Sequence, residues 1–209
     1  VREGPSAPLF LINDGQGRFT TEPLGSRIGD LMQANSVCCA DFDRDGWNDL
    51  FFGVQGNGHC RLYSNDQRGR FVDVSFANLP GAPQGCAQNV TAADLDGDSD
   101  MDIALAMGGW CGAKQENVVL INDGRGVLSP FVLAGIRRWS KDLAIGDLNG
   151  DALPELVFGA LQDPPELWIN LGGGIFADGS SLLPQGASYT MSVAILDIDG
   201  DGMNDVAAG

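Results

Sequence analysis

The sequence predicts an all-β protein, a β-propeller built from four-stranded antiparallel blades. Three observations carry that expectation. An acidic nine-residue pattern occurs four times, beginning at Asp41, Asp94, Asp147 and Asp197, so the spacings are 53, 53 and 50 residues. Short apolar runs flank each copy, and another apolar run ends on an Asn at a Gly-rich turn. Helical periodicity is sustained nowhere, and the 30 glycines suit a chain with many tight turns. Four short strands recurring about every fifty residues are the signature of a propeller blade.

Taken in chain order, residues 1–30 supply only the second half of a unit. Blades follow at 35–85, 86–137 and 138–187, and 188–209 is a first half. Strand 1 of each unit is the run before the acidic loop: Ser36–Ala40, Asn89–Ala93, Asp142–Gly146 and Ser192–Leu196. Strand 2 is the run after it: Leu50–Gly53, Ile103–Ala106, Leu156–Gly159 and Val206–Gly209. These runs are too short for helices and largely apolar on both faces, which fits strands buried in a stack of sheets. Strand 3 is Leu9–Asn13, Arg61–Asn65, Val118–Asn122 and Glu166–Asn170. Asn, Asp and Gly after it supply the positive-φ residues a hairpin needs, and strand 4 follows, as in Arg70–Val74. The incomplete ends are complementary halves of one blade. They either join into a four-bladed ring or belong to a larger propeller. The larger propeller is the expectation, because the chain starts on Val1 and stops directly after a strand.

The acidic pattern places oxygen side chains at positions 1, 3, 5 and 9 and leaves a carbonyl at 7, a set suited to a hard cation taking six to eight oxygens. The expected ligands are Asp41, Asp43, Asp45, Trp47 and Asp49 in the first loop, and Asp94, Asp96, Asp98, Asp100 and Asp102 in the second. They are Asp147, Asn149, Asp151, Leu153 and Glu155 in the third, and Asp197, Asp199, Asp201, Met203 and Asp205 in the fourth. Trp47, Asp100, Leu153 and Met203 offer main-chain carbonyls. Position 12, where an EF-hand carries a bidentate Glu, holds Phe52, Leu105, Phe158 and Ala208, so these loops sit in hairpins and not between helices. Calcium fits better than magnesium, which holds to stricter octahedral geometry, and zinc lacks nearby His or Cys. Asn149, Ala152 and Glu155 replace the Asp, Gly and Asp of the pattern, so the third loop is expected to bind weakest. Four equivalent loops within separate blades read as structural staples, since a catalytic ion needs an open position beside acid–base groups.

Charge follows the same loops. Fifteen of the 28 acids occupy ligand positions, and the remaining 13 nearly balance 12 Lys and Arg, so the net charge of −16 belongs to the sites. No basic footprint for nucleic acid is present. No apolar run approaches the roughly 20 residues of a membrane helix.

The run Asp-x-Asp-Gly-Asp-x-x-x-Asp, an apolar strand, and then Leu-x-x-Asn-Asp-Gly-x-Gly-x-Phe resembles the FG-GAP/VCBS repeats of integrin α-type propellers along nearly the whole chain. The resemblance implies an integrin α-like propeller, typically of about seven blades, with calcium between the first two strands of a blade. It implies no particular activity.

Cys86 and Cys111 flank the second loop symmetrically at the far end of its hairpin, where a disulfide can form. Such a bridge would add about 3 kcal/mol by loop entropy and would fit an oxidising compartment. Cys38 and Cys39 read as buried thiols of an inner strand, and Cys60 has no obvious partner. His59 is the only histidine and reads as a polar loop residue; the sequon at Asn89 falls in an inner strand and reads as accidental. Loops opposite the acidic ones collect Gln55–His59, Trp110–Gln115, Arg137, Arg138, Trp139 and Tyr189. Aromatics and Arg in such loops are common in protein and glycan sites, and the alternative for Trp110 and Trp139 is packing between blades. The functional expectation is a calcium-stabilised, extracellular, cell-surface or periplasmic module that binds protein or carbohydrate on that face and is not an enzyme. The alternative is an accessory or truncated propeller domain of a secreted enzyme.

Overall fold

The computed structural model describes residues 9–23, 34–56, 58–108, 113–184, 186 and 189–209. Sixteen strands form five antiparallel sheets among these residues. Three are complete four-stranded meanders. The first holds β3 (Ala34–Ala40), β4 (Asp49–Val54), β5 (Arg61–Asn65) and β6 (Phe71–Asp73). The second holds β7 (Ala87–Ala93), β8 (Asp102–Met107), β9 (Val118–Asn122) and β10 (Leu128–Val132). The third holds β11 (Ser140–Gly146), β12 (Glu155–Ala160), β13 (Glu166–Asn170) and β14 (Phe176–Asp178). Two-stranded sheets stand before and after them, β1 (Leu9–Asn13) with β2 (Phe19–Pro23) and β15 (Val193–Leu196) with β16 (Asp205–Ala208). These two halves are separate sheets, so β1 and β16 do not close a four-bladed ring in this structure.

The inner strands lie side by side, β3 against β7, β7 against β11 and β11 against β15. Polar rungs connect them. Ser36 Oγ accepts the Val90 N–H at 2.9 Å, and Asp142 accepts Asn89 Nδ2 at 2.5 Å and the Val193 N–H at 3.0 Å. Asn89 is thereby bonded within the strand array. Each complete blade has an irregularity at the same point of its first strand, between Ala34 and Ser36, Ala87 and Asn89, and Ser140 and Asp142.

Apolar cores form between neighbouring sheets. Phe42, Phe51, Leu62, Leu79, Val90, Leu105, Leu120 and Leu128 unite the first and second blades. Leu95, Val119, Leu156, Phe158, Trp168 and Phe176 do so for the second and third. Glycine at the end of β4 permits the close approach: a Cβ on Gly53 would stand 2.9 Å from that of Ala87. β8 and β12 are buried along their whole length, as their unbroken apolar runs predict. The first strands depart from that expectation. β3 alternates between half-buried and exposed, and Cys39 is exposed, because among the described residues no first strand stands before β3 to cover that face. One helical turn, α1 (Ser75–Asn78), follows the first blade, too short to register as periodicity.

Candidate metal loops and the opposite face

In an antiparallel meander the turns after strands 1 and 3 fall at one end, and the connections after strands 2 and 4 at the other. The four acidic loops therefore share one end of the blades. All four adopt one backbone path. Positions 4 and 6 have positive φ throughout: Arg44 and Gly46, Gly97 and Ser99, Gly150 and Ala152, Gly200 and Gly202. The sequence signals a turn chiefly at position 6, whereas the structure makes two. Each of the first three loops then strains one residue that is not Gly, so Ala152 does not by itself set the third loop apart.

Two carboxylates hold this path. Position 1 caps the turn: Asp41 accepts the N–H groups of Asp45 and Gly46 at 3.0 and 2.8 Å, and Asp94 those of Gly97 and Ser99 at 2.8 and 3.0 Å. Asp147 and Asp197 repeat the arrangement, and the backbone bonds to Asp147 hold its pKa below the usual carboxylate range. Position 9 ties the loop to strand 3. Asp49 accepts the N–H of Phe42 at 3.1 Å and of Asn65 at 2.9 Å, and Asp102 those of Leu95 at 2.8 Å and Asn122 at 2.7 Å. Glu155 does the same for Leu148 and Asn170 at 2.8 and 3.3 Å. Asp49, Asp102 and Glu155 are buried, and burial pushes Asp49 and Asp102 up to about 6 against those bonds.

Carboxylate oxygens converge in three loops, each set lying within 4.8 Å: Asp41, Asp43 and Asp45; Asp94, Asp96 and Asp102; Asp197, Asp199 and Asp205. Asp49 in the first loop, and Asp98 and Asp201 in the second and fourth, lie outside those close sets. An all-oxygen donor set on a path prearranged by backbone bonds fits a calcium ion. The third loop differs. Asn149 Nδ2 donates to Asp151 Oδ2 at 3.0 Å and to Glu155 Oε1 at 3.3 Å, so an amide group lies between the two carboxylates. Trp47 and Met203, expected to give carbonyls, expose about half of their side chains, and Leu153 is half-buried.

Neighbouring loops are also linked. Arg44 Nη2 pairs with the buried Asp100 carboxylate and donates to Asp98 O at 3.2 Å. Asn204 Nδ2 donates to Asp147 O at 2.8 Å. The Asn that ends strand 3 spans blades too: Asn122 Nδ2 reaches Phe42 O at 2.8 Å, and Asn170 Nδ2 reaches Leu95 O at 2.9 Å. Sequence reading assigned these Asn residues only to turns.

A cleft of about 310 Å³ opens at the other end, lined in part by Pro83, Gln84, Lys114, Glu116, Pro130 and Arg137. Beside it lies a polar cluster, buried at Asp163 and Glu166, that the sequence did not disclose. Lys114 Nζ is 2.6 Å from Asp163 Oδ1 and lies 5.4 Å from the centre of the Trp139 ring. Arg138 lies 3.3 Å from Asp163 and 3.7 Å from Glu166. Glu166, fully buried, accepts Asn117 Nδ2 and Trp168 Nε1, each at 3.1 Å, and burial pushes it up to about 7. Trp139 is half-buried, while Tyr189 is exposed. His59 bridges to Gln84 and is a loop tie. Trp110 and Cys111 lie outside the described residues. Cys86 is disulfide-bonded, whereas Cys38, Cys39 and Cys60 are free thiols.

FG-GAP-like repeats match residues 41–105 and 147–208, more than half of the chain. The chain belongs to the FG-GAP-like repeat family. Among curated relatives, cartilage acidic protein 1 of Mus musculus is 31% identical over 106 residues, covering 48% of this chain and 16% of that protein. Integrin alpha-4 of Xenopus laevis is 24% identical over 205 residues, covering 87% of this chain and 19% of that protein. The chain thus spans less than a fifth of either relative. A lectin of Agrocybe aegerita, solved for its recognition of non-reducing terminal N-acetylglucosamine, superposes with a TM-score of 0.55 at 16% identity. That match covers 95% of this chain and 54% of the lectin and supports the β-propeller-like fold. No helix among the described residues is long and apolar enough to cross a membrane.

Proposed function

We propose that the chain is a calcium-stabilised section of an extracellular β-propeller that recognises protein or carbohydrate on the face opposite its acidic loops. The convergence of carboxylates in three loops of one shared path is the observation that carries this reading. Calcium holds each loop closed and has no part in chemistry: Asp41, Asp43 and Asp45, with Asp94, Asp96, Asp102, Asp197, Asp199 and Asp205, are its principal ligands. Asp49, Asp98, Asp201 and the carbonyls of Trp47, Asp100 and Met203 complete the sets. The third loop, with Asp147, Asn149, Asp151, Leu153 and Glu155, is the weakest site.

Recognition falls to the other end. A cleft lined by Gln84, Lys114, Glu116 and Arg137 together with Pro83 and Pro130 offers polar groups beside apolar surface, as small polar ligands require. Relatives that are integrin and matrix proteins support adhesion or recognition in an extracellular setting over catalysis. Equilibrium dialysis against calcium, followed by a glycan array and partner capture on the calcium-loaded protein, tests the reading. Three calcium ions per chain and a ligand lost on Arg137→Ala are the expected results. Failure to retain calcium at millimolar concentration contradicts the structural role of the loops.

A further inference from the structure

Two residues break the pattern that the four acidic loops share, and they touch. Position 4 is Gly97, Gly150 and Gly200 in three loops but Arg44 in the first. Position 7 is Trp47, Leu153 and Met203 in three loops but Asp100 in the second. Across the interface of the first two blades, Arg44 Nη2 pairs with Asp100 Oδ1 and donates to Asp98 O at 3.2 Å. The same two positions meet between the third and fourth loops, where a Cβ on Gly150 would stand 3.8 Å from Met203 Cε. The sequence fills that juxtaposition with opposite charges between the first and second loops alone.

Each departure is unfavourable by itself. Position 4 has positive φ in all four loops, 60° at Arg44 and 90°, 82° and 80° at Gly97, Gly150 and Gly200. A residue with a Cβ is disfavoured in that left-handed region, so Arg44 needs a further contact to stay there. Asp100 is 3% exposed, and a carboxylate so buried is strongly destabilising unless a cation accompanies it. The ion pair offsets both at once. Residue 44 also lies between two of the converging carboxylates, those of Asp43 and Asp45. The Asp45 N–H bonds to Asp41 Oδ1 at 3.0 Å and to Asp43 Oδ1 at 3.2 Å, so the backbone at 44 sets how these oxygens come together.

We propose, on the calcium reading of these loops, that Asp100 of the second blade is a positioning residue for the ion site of the first, acting through Arg44. Asp100 holds Arg44 in the left-handed region, and the backbone of Arg44 holds Asp43 and Asp45 where they share the ion. The first site is thereby coupled to the interface between blades. An ion in the loop favours the Arg44–Asp100 contact by the same factor as the contact favours the ion. The other three loops, with Gly at position 4, need no such support.

Terbium takes the oxygen ligands of calcium and luminesces when a nearby indole is excited, and Trp47 is the one tryptophan within an acidic loop. The luminescence that Trp47→Phe removes therefore reports the first loop. Terbium titration, with calcium as competitor, compares the wild-type chain with Asp100→Asn, Arg44→Ala, and Asp100→Asn combined with Arg44→Gly. Asp100→Asn and Arg44→Ala are each expected to weaken the first loop about fivefold or more. The combined variant is expected to recover wild-type affinity, because glycine takes the left-handed path without a partner. Arg44 is half-exposed, so Arg44→Ala keeps the test open if Asp100→Asn does not fold. Wild-type affinity in Asp100→Asn or Arg44→Ala, or a loss that the combined variant retains, would overturn the proposal. Wild-type chain without Trp47-dependent luminescence would overturn the calcium reading itself, and the proposal with it.

Discussion

Asn149 shows how one atom changes the chemistry of a repeated loop. Its amide donates to Asp151 and Glu155, and it must turn its oxygen inward before a cation can share those groups. Asn149→Asp is expected to tighten calcium at that loop by about tenfold or more by adding a charged ligand. Asp43→Ala should cost more calcium-dependent stability than Asn149→Ala; calorimetric titration of the three variants checks both. Glu166 is a second residue whose surroundings decide its behaviour. Burial raises it to about 7 despite Trp168, Arg138 and Asn117, and the charge of Asp178 raises it further. A carboxyl raised in the folded state binds its proton there before it does unfolded, so its contribution is greatest below its ordinary range and is lost as pH rises towards 7. The loss is on the order of 3 kcal/mol. Glu166→Gln should therefore flatten the decline in urea midpoint between pH 5 and 7.5, and a variant that declines as steeply as wild type would remove Glu166 as the cause.

Among the elements, strand 3 and its terminal Asn do more than turn the chain. Asn122 is buried, bonds to Phe42 O across the blade interface and to Met101 O within its own blade, and accepts the Gly124 and Gly126 N–H groups. Asn122→Ala leaves those groups without their partner and is expected to cost about 2–4 kcal/mol. Asn65→Ala, which loses no bond between blades, should cost roughly 1 kcal/mol. Denaturant unfolding of the pair measures the difference. Strand positions were legible in the sequence because apolar runs, acidic loops and Asn-Gly turns recur in register, and strand 3 matches to the residue in all four units. Exposure of Cys39 was not legible, since an apolar run does not say which strand will lack a neighbour on one face. Nor was the cluster of Lys114, Arg138, Asp163 and Glu166, whose members come together only when two blades pack.

For the whole molecule, the repeat explains both stability and polarity of form. One end of the sheets gathers the acids and, by the proposal above, calcium; the other gathers Lys114, Arg137 and Arg138 beside the cleft. That the acids serve the loops was legible from their count alone. Which of the candidate recognition residues face the cleft was not, because Lys114, Gln115 and Arg137 come from connections whose paths the sequence leaves open.

The most direct test of the account is a thermal melt of the chain with saturating calcium and again after chelation. Ions held in three loops at about 100 times their dissociation constant would each add about 2.7 kcal/mol. Chelation is therefore expected to lower Tm by at least about 5 °C, and calcium returned in excess to restore it. Superimposable melts with and without chelator would contradict it.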